Sequence, residues 1–307
     1  MVVFHGFEDY RPLPCPAAVA VGNFDGFHLG HRKILAALCG LARSRRLSSL
    51  VLTFDPHPER ALGKRAVRMI DTLEQRLERL RAAGVEAALV VRFDRGFCGL
   101  SARAFAENVL RGRLDASEVV VGRDFRFGRD RRAGIKRLEA LGRQLGFGVH
   151  AVAPEIVGGR PVSSSLIRRS LARGRVEEAA RLLGRPYEIA GTVVAGKALG
   201  RGLGAPTANV RTANEILPDG VFISVTVWKG QLLPSVTSIG TNPTFGRNPV
   251  SVETHILDRR VRFGRAELSV RLLRKLRPTR KFPDREALAA AIRRDIEAAR
   301  EYFRRQD

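Results

Sequence analysis

The sequence predicts two domains: a doubly wound parallel α/β sheet, followed by a small antiparallel β-barrel with a C-terminal helix. Three patterns support this prediction. Apolar runs alternate with amphipathic helical segments as far as residue 153, which is typical of a parallel sheet covered by helices. From Tyr187 onward, short strands of alternating polarity with Gly or Pro turns replace that pattern. Residues 284–302 then form an amphipathic segment that begins at a capping aspartate.

In the first domain, each predicted strand is a short apolar run bounded by turn residues. The five runs cover residues 17–22, 49–54, 87–93, 116–122 and 148–153. Helices are predicted over residues 32–46, 71–80, 101–110, 137–145 and 177–183, and Asp71 is expected to cap the second of them. Gly184-Arg-Pro186 is expected to close the domain, which places the two domains at residues 1–184 and 185–307.

The second domain is predicted to contain five strands and one helix. The strands cover residues 188–194, 221–228, 233–239, 252–257 and 268–276. The helix carries one apolar stripe, so we expect it to cover one side of the barrel. The members of the stripe are Leu288, Ile292, Ile296 and Ala299.

The composition is that of a globular protein. The 307 residues, 44% of them hydrophobic, are enough for two sizeable cores. There is no run of 18 apolar residues and no basic start followed by an apolar segment, so a cytoplasmic protein is expected. The three cysteines, Cys15, Cys39 and Cys98, are isolated, which argues against a disulfide framework and a structural zinc site. We expect them to be packing residues.

The net charge of +23 favours anionic ligands, because a positive field raises the local concentration of anions. Nucleic acid, anionic lipid and polyphosphate are three such classes. The basic residues are, however, spread along the chain and are not interleaved with the aromatic residues that a stacking platform for nucleic acid needs. We therefore expect nucleotide ligands, and neither a nucleic acid nor a membrane partner.

The stretch Val19-Ala-Val-Gly-Asn-Phe-Asp-Gly-Phe-His-Leu-Gly-His31 predicts a phosphate site. It is an apolar strand that breaks into glycines just before a helix. Such a turn aims backbone N–H groups and the positive end of the helix dipole at one spot. Its glycines, Gly22, Gly26 and Gly30, would let the backbone approach an anion closely.

His28 and His31, three residues apart, are expected on one face of the first helical turn. Two imidazoles there can donate to phosphoryl oxygens as negative charge develops in a transition state. The alternative interpretation is a glycine-rich turn with two exposed histidines. A metal site is disfavoured, because no Cys or carboxylate cluster accompanies the pair at ligand spacing.

Hydroxyl groups mark the start of another predicted helix, in Ser163-Ser-Ser-Leu-Ile-Arg168. The serines could simply cap the helix. Because a phosphate turn is already predicted, Ser164, Ser165 and Arg168 could equally form a triphosphate clamp. The residues alone leave both interpretations open.

The second domain has its own candidate site in the glycine-rich residues 196–209. Its glycines would admit phosphates, and Thr207 and Asn209, two apart, offer neutral oxygens to Mg²⁺. Further on, Glu253 and His255 fall on the same strand face, where a carboxylate could take a proton from a substrate hydroxyl. The alternatives are a surface connection and a solvated strand residue.

Seven motifs, in order, resemble the bacterial bifunctional riboflavin kinase/FAD synthetase family. They are Gly22-Asn-Phe-Asp-Gly-Phe-His-Leu-Gly-His31, Thr53-Phe-Asp-Pro-His-Pro58, Val121-Gly-Arg-Asp-Phe-Arg-Phe-Gly128, Ser163-Ser-Ser-Leu-Ile-Arg168, Gly204-Ala-Pro-Thr-Ala-Asn209, Gly240-Thr-Asn-Pro-Thr-Phe245 and Val252-Glu-Thr-His255. The resemblance implies a first domain of the nucleotidyltransferase superfamily that joins FMN and ATP into FAD and pyrophosphate. It also implies a riboflavin kinase barrel that makes FMN from riboflavin with ATP and Mg²⁺.

The same resemblance implies roles for individual residues. His28, His31 and Glu253 would be catalytic, with Glu253 as general base; Thr207 and Asn209 would bind the metal; and Phe54, Pro56 and Asp124 would contact the flavin. ATP or its phosphates would be bound by Gly22, Asn23, Phe24, Asp25, Gly26, His28, His31, Ser164, Ser165, Arg168, Gly200, Gly202 and Gly204.

The sequence departs from the family pattern at a few positions. Ser165 replaces the usual Thr, Ala205 a bulky apolar residue and Phe222 a Tyr, while the family has either Asn or Asp at position 124. Residues 277–282 lack the usual Glu. These differences bear on the flavin pocket and the affinity of the kinase.

The sequence also suggests two alternative functions. The first is a tRNA-related or cytidylyl-transferring enzyme with the same His-x-Gly-His pattern, but it would leave Thr207, Asn209 and Glu253 without a task. The second is a flavin- or RNA-binding regulator, against which the intact catalytic side chains argue.

Overall fold

The first part of the chain folds around a six-stranded parallel sheet in the order β1-β4-β3-β2-β5-β6. The structure, a computed structural model, describes residues 1–61, 63, 67–195, 205–241, 250–259 and 261–306. The strand order reverses beside β2, and the carboxyl ends of strands at such a switch point form a crevice for ligands. The strands are β1 Val2–His5, β2 Ala17–Val21, β3 Ser48–Phe54, β4 Ala87–Val91, β5 Ala116–Gly122 and β6 Gly148–Val152.

The predicted doubly wound sheet is confirmed, but its edge strand β1 was not predicted. Val2–His5 pairs with β4 in parallel register, and Phe4 is its one buried side chain. A four-residue strand that is exposed along one edge buries too little apolar surface to give a clear pattern in the sequence.

Helices cover both faces of this sheet. They are α1 Leu29–Arg45, α2 Pro58–Ala61, α3 Leu73–Ala82, α4 Arg95–Cys98, α5 Ala102–Ala104 and α6 Ile135–Leu145, with a π-helical segment at Phe105–Arg113. The helix predicted over 101–110 is thus a short α-helix that continues as a π-helix. The predicted cap Asp71 is wrong by one residue, since Thr72 caps α3 and forms a capping box with Gln75.

The sheet separates two apolar cores. On one face, Val19 and Leu89 pack with Leu110 and Leu138 from the π-helix and α6. On the other face, Ala20, Val51 and Ala88 pack with side chains of α1 and α3. Strands β2 to β5 are therefore covered on both sides, which explains their nearly continuous apolar runs, whereas the edge strand β6 is only half-buried.

A six-stranded closed antiparallel barrel, in the order β10-β13-β12-β11-β14-β9, forms the later part of the chain. The strands are β9 Tyr187–Val194, β10 Ala208–Thr212, β11 Gly220–Trp228, β12 Gln231–Gly240, β13 Ser251–Ile256 and β14 Glu267–Arg277. A short antiparallel pair, β7 Ile156–Val157 and β8 Arg160–Pro161, and helices α7 Ser164–Ala172 and α8 Val176–Leu183 precede them. The barrel is confirmed, but β10 was not predicted, because it follows directly on a glycine-rich segment.

The C-terminal helix α9, Arg285–Arg304, covers the outside of the barrel, as predicted. Asp284 caps it by accepting from the amide of Ala287. Its Ala299 packs against Val221 and Val236. Arg277, from the segment that lacks the family's Glu, donates to both carboxylate oxygens of Asp295, from Nε to Oδ1 at 3.1 Å and from Nη2 to Oδ2 at 2.8 Å. A bidentate ion pair thus fixes the helix to β14.

The barrel interior contains a closed ring of five hydroxyl groups, all fully or almost fully buried. Ser224 contacts Ser235 and Thr237 at 2.8 and 2.7 Å, and Thr226 contacts Ser235 and Thr254 at 3.0 Å each. Thr237 donates to Thr254 at 2.9 Å, which closes the ring. Each hydroxyl has two partners, so no member is buried without a hydrogen bond.

The chain divides into two compact units, Met1–Ser164 and Ser165–Asp307. The boundary predicted at 184/185 lies after α7 and α8 and stays a prediction.

The cysteines are free; Cys39 is buried, and burial raises the pKa of its thiol, but Cys15 is exposed and is not the packing residue expected. Among the described residues, no helix is long and apolar enough to cross a membrane.

Replacing Ser235 by Ala should lower the free energy of unfolding of the barrel by about 1–3 kcal/mol, because Ser224 and Thr226 would each lose a buried partner. The only tryptophan, Trp228, lies in β11, so its fluorescence during urea unfolding reports on this unit. Ser238→Ala, on the exposed outer face of the same strand, is the control and should change stability by less than about 0.5 kcal/mol. Equal effects of the two substitutions would show that the ring does not stabilise the barrel.

Candidate active sites

The predicted phosphate turn lies between β2 and α1, at the switch point of the sheet. Phe24, Gly26 and Phe27 have positive φ angles of 51°, 80° and 43°. For the two phenylalanines, this conformation costs roughly 1–3 kcal/mol each, so the surrounding structure must hold it in place. Gly26 is also needed for packing, because a Cβ there would lie 2.8 Å from the side chain of Ile70.

His28 and His31 come together at the N-terminus of α1. Their rings stack with centroids 3.6 Å apart and planes 16° from parallel. His28 is itself the N-cap, since its Nδ1 accepts from the amide of His31 at 3.3 Å. His28 is only 6% exposed, so the alternative of two exposed histidines does not fit. A Cβ on Gly30 would lie 3.2 Å from the His28 ring, which leaves little room for any other residue there.

The carboxylate of Asp25, predicted to belong to the ATP site, is turned into the protein and is 1% exposed. It accepts from the amides of Ile70 and Asp71 at 3.0 and 3.2 Å. The main chain of Asp25 is also held, because the Ser164 hydroxyl donates to its carbonyl oxygen at 2.9 Å. Asp25 therefore fixes the turn to the segment before α3.

Arg76 was not predicted, yet it lies at the centre of this region. Its Nη1 donates to the carbonyl oxygens of Asn23 and Phe54 at 2.9 and 3.2 Å, and the side chain is 1% exposed. Burial lowers the pKa of Arg76, while nearby carboxylates, first among them Asp25 and Asp55, oppose that shift. In the sequence, Arg76 looks like any cation on an amphipathic helix, so only the tertiary structure identifies it.

His57 is a second residue that sequence reasoning did not select, although it lies in the Asp-Pro-His-Pro motif. It is 8% exposed, and its Nε2 lies 3.1 Å from the side-chain nitrogen of Asn23. The Thr53 hydroxyl donates to the carbonyl of Asn23 at 3.2 Å. The end of β3 therefore supports the predicted ATP residue Asn23 from two sides.

The three predicted flavin residues lie at or just after the carboxyl ends of β3 and β5, two strands separated in the sheet only by β2. Phe54, the last residue of β3, is 8% exposed and lies 5.3 Å from the ring of Phe93 and 5.5 Å from that of Phe97. Pro56 follows it in the chain, and Asp124 is exposed just after β5. Their contact with a flavin stays a prediction.

The predicted clamp residues lie on α7. Ser164 is its first residue and makes the contact with Asp25 described above. Ser165 is exposed and Arg168 is half-buried, both in the second compact unit. Their contact with ATP phosphates stays a prediction.

In the barrel, Thr207, Asn209 and Glu253 come together. Asn209 on β10 is directly opposite Glu253 on β13, and Thr207 is two residues before Asn209. The Thr207 hydroxyl donates to Oε2 of Glu253 at 3.3 Å, and the Ser251 hydroxyl donates to Oε1 at 3.2 Å. This arrangement places two neutral oxygens and one carboxylate on the outer face of the barrel.

The neighbouring residues agree with the predicted strand faces. Thr254 is buried in the hydroxyl ring, whereas Glu253 and His255 are on the other face. Nδ1 of His255 lies 2.9 Å from the carbonyl of Pro206, which connects β13 to the segment before β10. The predicted phosphate residues Gly200, Gly202 and Gly204 lie outside the described residues.

Comparison with known proteins assigns both halves of the chain. A family model described as FAD synthetase matches residues 11–166, and one described as riboflavin kinase matches residues 183–303. A bifunctional riboflavin kinase/FMN adenylyltransferase of Escherichia coli strain K12 is 36% identical over 307 residues, which cover 99% of this chain and 98% of that protein. A relative with the same description from Haemophilus influenzae is 33% identical, with 99% of each chain covered.

A solved structure shares the fold over nearly the whole chain. It is described as a macrolide-efflux protein from Streptococcus pneumoniae, is 28% identical, and covers 98% of this chain and 99% of its own with a TM-score of 0.87. The chain belongs to the family of bifunctional riboflavin kinases/FMN adenylyltransferases, and it phosphorylates riboflavin to FMN with ATP and adenylylates FMN to FAD with release of pyrophosphate.

Proposed function

We propose that each of the two activities depends on its own set of side chains. In adenylyl transfer, an oxygen of the FMN phosphate attacks the α-phosphorus of ATP, and pyrophosphate leaves. The turn of residues 22–28 and the pair His28 and His31 bind the phosphates and stabilise the charge that develops. The observation that carries this proposal is the stacked pair at the N-terminus of α1, where ring N–H groups and the helix dipole both favour negative charge.

The flavin of this reaction is bound beyond the carboxyl ends of β3 and β5. Phe54 and Pro56 supply apolar contact, and Asp124 supplies a polar group. The aromatic cluster of Phe54, Phe93 and Phe97 supports this placement, because a planar apolar ring system packs well against aromatic side chains.

In the kinase reaction, Glu253 takes the proton from the riboflavin hydroxyl that attacks the γ-phosphorus of ATP. Both oxygens of its carboxylate already accept hydrogen bonds from hydroxyl groups, those of Thr207 and Ser251. A general base must lie within hydrogen-bond distance of the hydroxyl whose proton it takes, and these contacts show that the carboxylate of Glu253 can accept from hydroxyl groups. Gly200, Gly202 and Gly204 would bind the nucleotide phosphates.

Mg²⁺ belongs to this proposal. Thr207 and Asn209 offer a hydroxyl and an amide oxygen, which are hard ligands, beside the carboxylate of Glu253. The described residues contain no group of three His, Cys, Asp or Glu that could bind a metal alone, which suits an ion held largely by substrate phosphates. When bound, Mg²⁺ would neutralise charge on the β- and γ-phosphates. We also propose that the protein works in the cytoplasm, where ATP is available.

Glu253→Gln should lower the kcat of riboflavin phosphorylation by about 10²–10⁴, because the amide cannot accept the proton. FAD formation from supplied FMN should be unchanged. Chromatographic separation of the flavins measures both rates in one assay. Glu267→Gln, an exposed carboxylate at the start of β14, is the matched control and should leave both rates unchanged. A proportional loss of both activities in the Glu253 variant would contradict the assignment.

His28→Ala should have the opposite effect, lowering adenylyl transfer by about 10²–10³ while riboflavin phosphorylation continues. The expected loss combines the missing donor with the missing cap of α1. The release of pyrophosphate in the presence of FMN and ATP is the measurement. His5→Ala, exposed on the edge strand β1, is the control. Normal adenylyl transfer by the His28 variant would refute the role of this residue.

Asn209→Ala should raise the Mg²⁺ concentration that gives half-maximal riboflavin phosphorylation by roughly tenfold, since one oxygen ligand is lost. The measurement is the rate of FMN formation over a Mg²⁺ titration at saturating ATP. The Mg²⁺ dependence of FAD formation in the same variant is the internal control and should not shift. An unchanged titration of the kinase would remove Asn209 from the metal site.

A further inference from the structure

A cleft of about 860 Å³ lies in the first unit, beside the loop that follows β5. Its walls come from the start of α5, the loop after β5 and the first turn of α6. None of the residues predicted to bind ATP lines it. The predicted flavin residues Phe54, Pro56 and Asp124 do not line it either, so the roles assigned above give this cleft no ligand.

The cleft is lined by cations. Six exposed basic side chains contribute to it: Arg123, Arg126, Arg129, Arg132, Lys136 and Arg137. Among the described residues that line the cleft, none is acidic. Because like charges in a concave site repel one another and focus a positive potential, this arrangement favours a ligand of opposite charge.

Not every basic residue of this loop lines the cleft, as a neighbouring arginine shows. Arg131 does not line the cleft, and its Nη1 lies 3.8 Å from Oε1 of Glu59. Arg129, by contrast, lines the cleft and donates to the carbonyl of Gly99 at 3.3 Å, which fixes its guanidinium without neutralising it.

Backbone N–H groups beside the cleft also favour an anion. Helix α6 begins at Ile135 after Gly134, and no side chain caps its first turn. The free N–H groups of such a turn and the helix dipole favour an anion, and Ile135 and Lys136 both line the cleft. The guanidinium of Arg126 lies directly against Gly134, at the start of this helix.

The number of charges indicates the class of ligand. One or two arginines suffice for a single phosphate or carboxylate, because one guanidinium can bind it through two hydrogen bonds. Six cations suit a chain of phosphates, and the volume is within the range of small-molecule sites rather than of an extended nucleic-acid groove. We propose that this cleft binds a small polyphosphate, either an inorganic chain or the phosphates of a nucleotide, at a site separate from the turn of residues 22–31.

The test is calorimetric titration of the full-length protein with inorganic tripolyphosphate in metal-free buffer. Arg132→Glu together with Lys136→Glu should weaken binding by at least about tenfold, since each charge-assisted hydrogen bond accounts for about that much. Arg131→Glu is the matched control and should change the affinity by less than about twofold, since Arg131 is outside the cleft. If the double Glu variant does not fold, Arg132→Gln with Lys136→Gln replaces it.

Two further titrations distinguish an inorganic phosphate chain from a nucleotide as the ligand. In His28→Ala, where the predicted ATP turn is impaired, tripolyphosphate should still bind, and the same two cleft substitutions should weaken it. ADP binding more tightly than tripolyphosphate in that variant, and weakened by the same two cleft substitutions, would identify a nucleotide as the ligand of the cleft; the reverse order would identify an inorganic chain.

Three outcomes would overturn the proposal. They are unchanged affinity in the cleft variants, an equal loss in Arg131→Glu, and loss of binding in His28→Ala alone. Tight binding of a single-stranded RNA oligonucleotide without binding of tripolyphosphate would also overturn it, because the cations would then serve an RNA surface.

Discussion

The buried guanidinium of Arg76 holds the first active site together. It joins the carbonyl of Asn23, in the turn after β2, to the carbonyl of Phe54, the last residue of β3. An arginine stays charged at any pH the protein meets, even where burial lowers its pKa. The turn that would bind ATP and the strand end that would contact the flavin therefore share one permanent anchor.

In the barrel, the register between two strands fixes the positions of the candidate site residues. Asn209 and Glu253 face each other because β10 and β13 pair with one register, and a slip of one residue would turn Glu253 into the barrel interior. Thr254, the next residue on β13, belongs to the hydroxyl ring. The polar interior of the barrel thus helps to fix the position of the carboxylate on its outer surface.

Sequence reasoning identified the two folds and predicted which side chains lie together within compact motifs, such as His28 and His31. Local patterns suffice there, because spacing along one turn or one strand determines which side chains lie together. It missed strand β1, a short edge strand that buries one side chain, and strand β10, which follows directly on a glycine-rich segment. It also missed Arg76 and His57, whose importance comes from contacts with residues far away in the chain. Asp25 illustrates the same limit: the motif indicates that the residue matters, but only the structure shows its carboxylate on the amides of Ile70 and Asp71.

The cap that His28 forms on its own helix also determines where that ring carries its hydrogen. Since Nδ1 accepts the amide of His31, the neutral imidazole must be the tautomer protonated on Nε2. A second proton could bind only at Nδ1, and it would displace the amide and release the helix end. The backbone of α1 therefore selects one of the two neutral forms of this histidine, the form in which Nε2 is a hydrogen-bond donor.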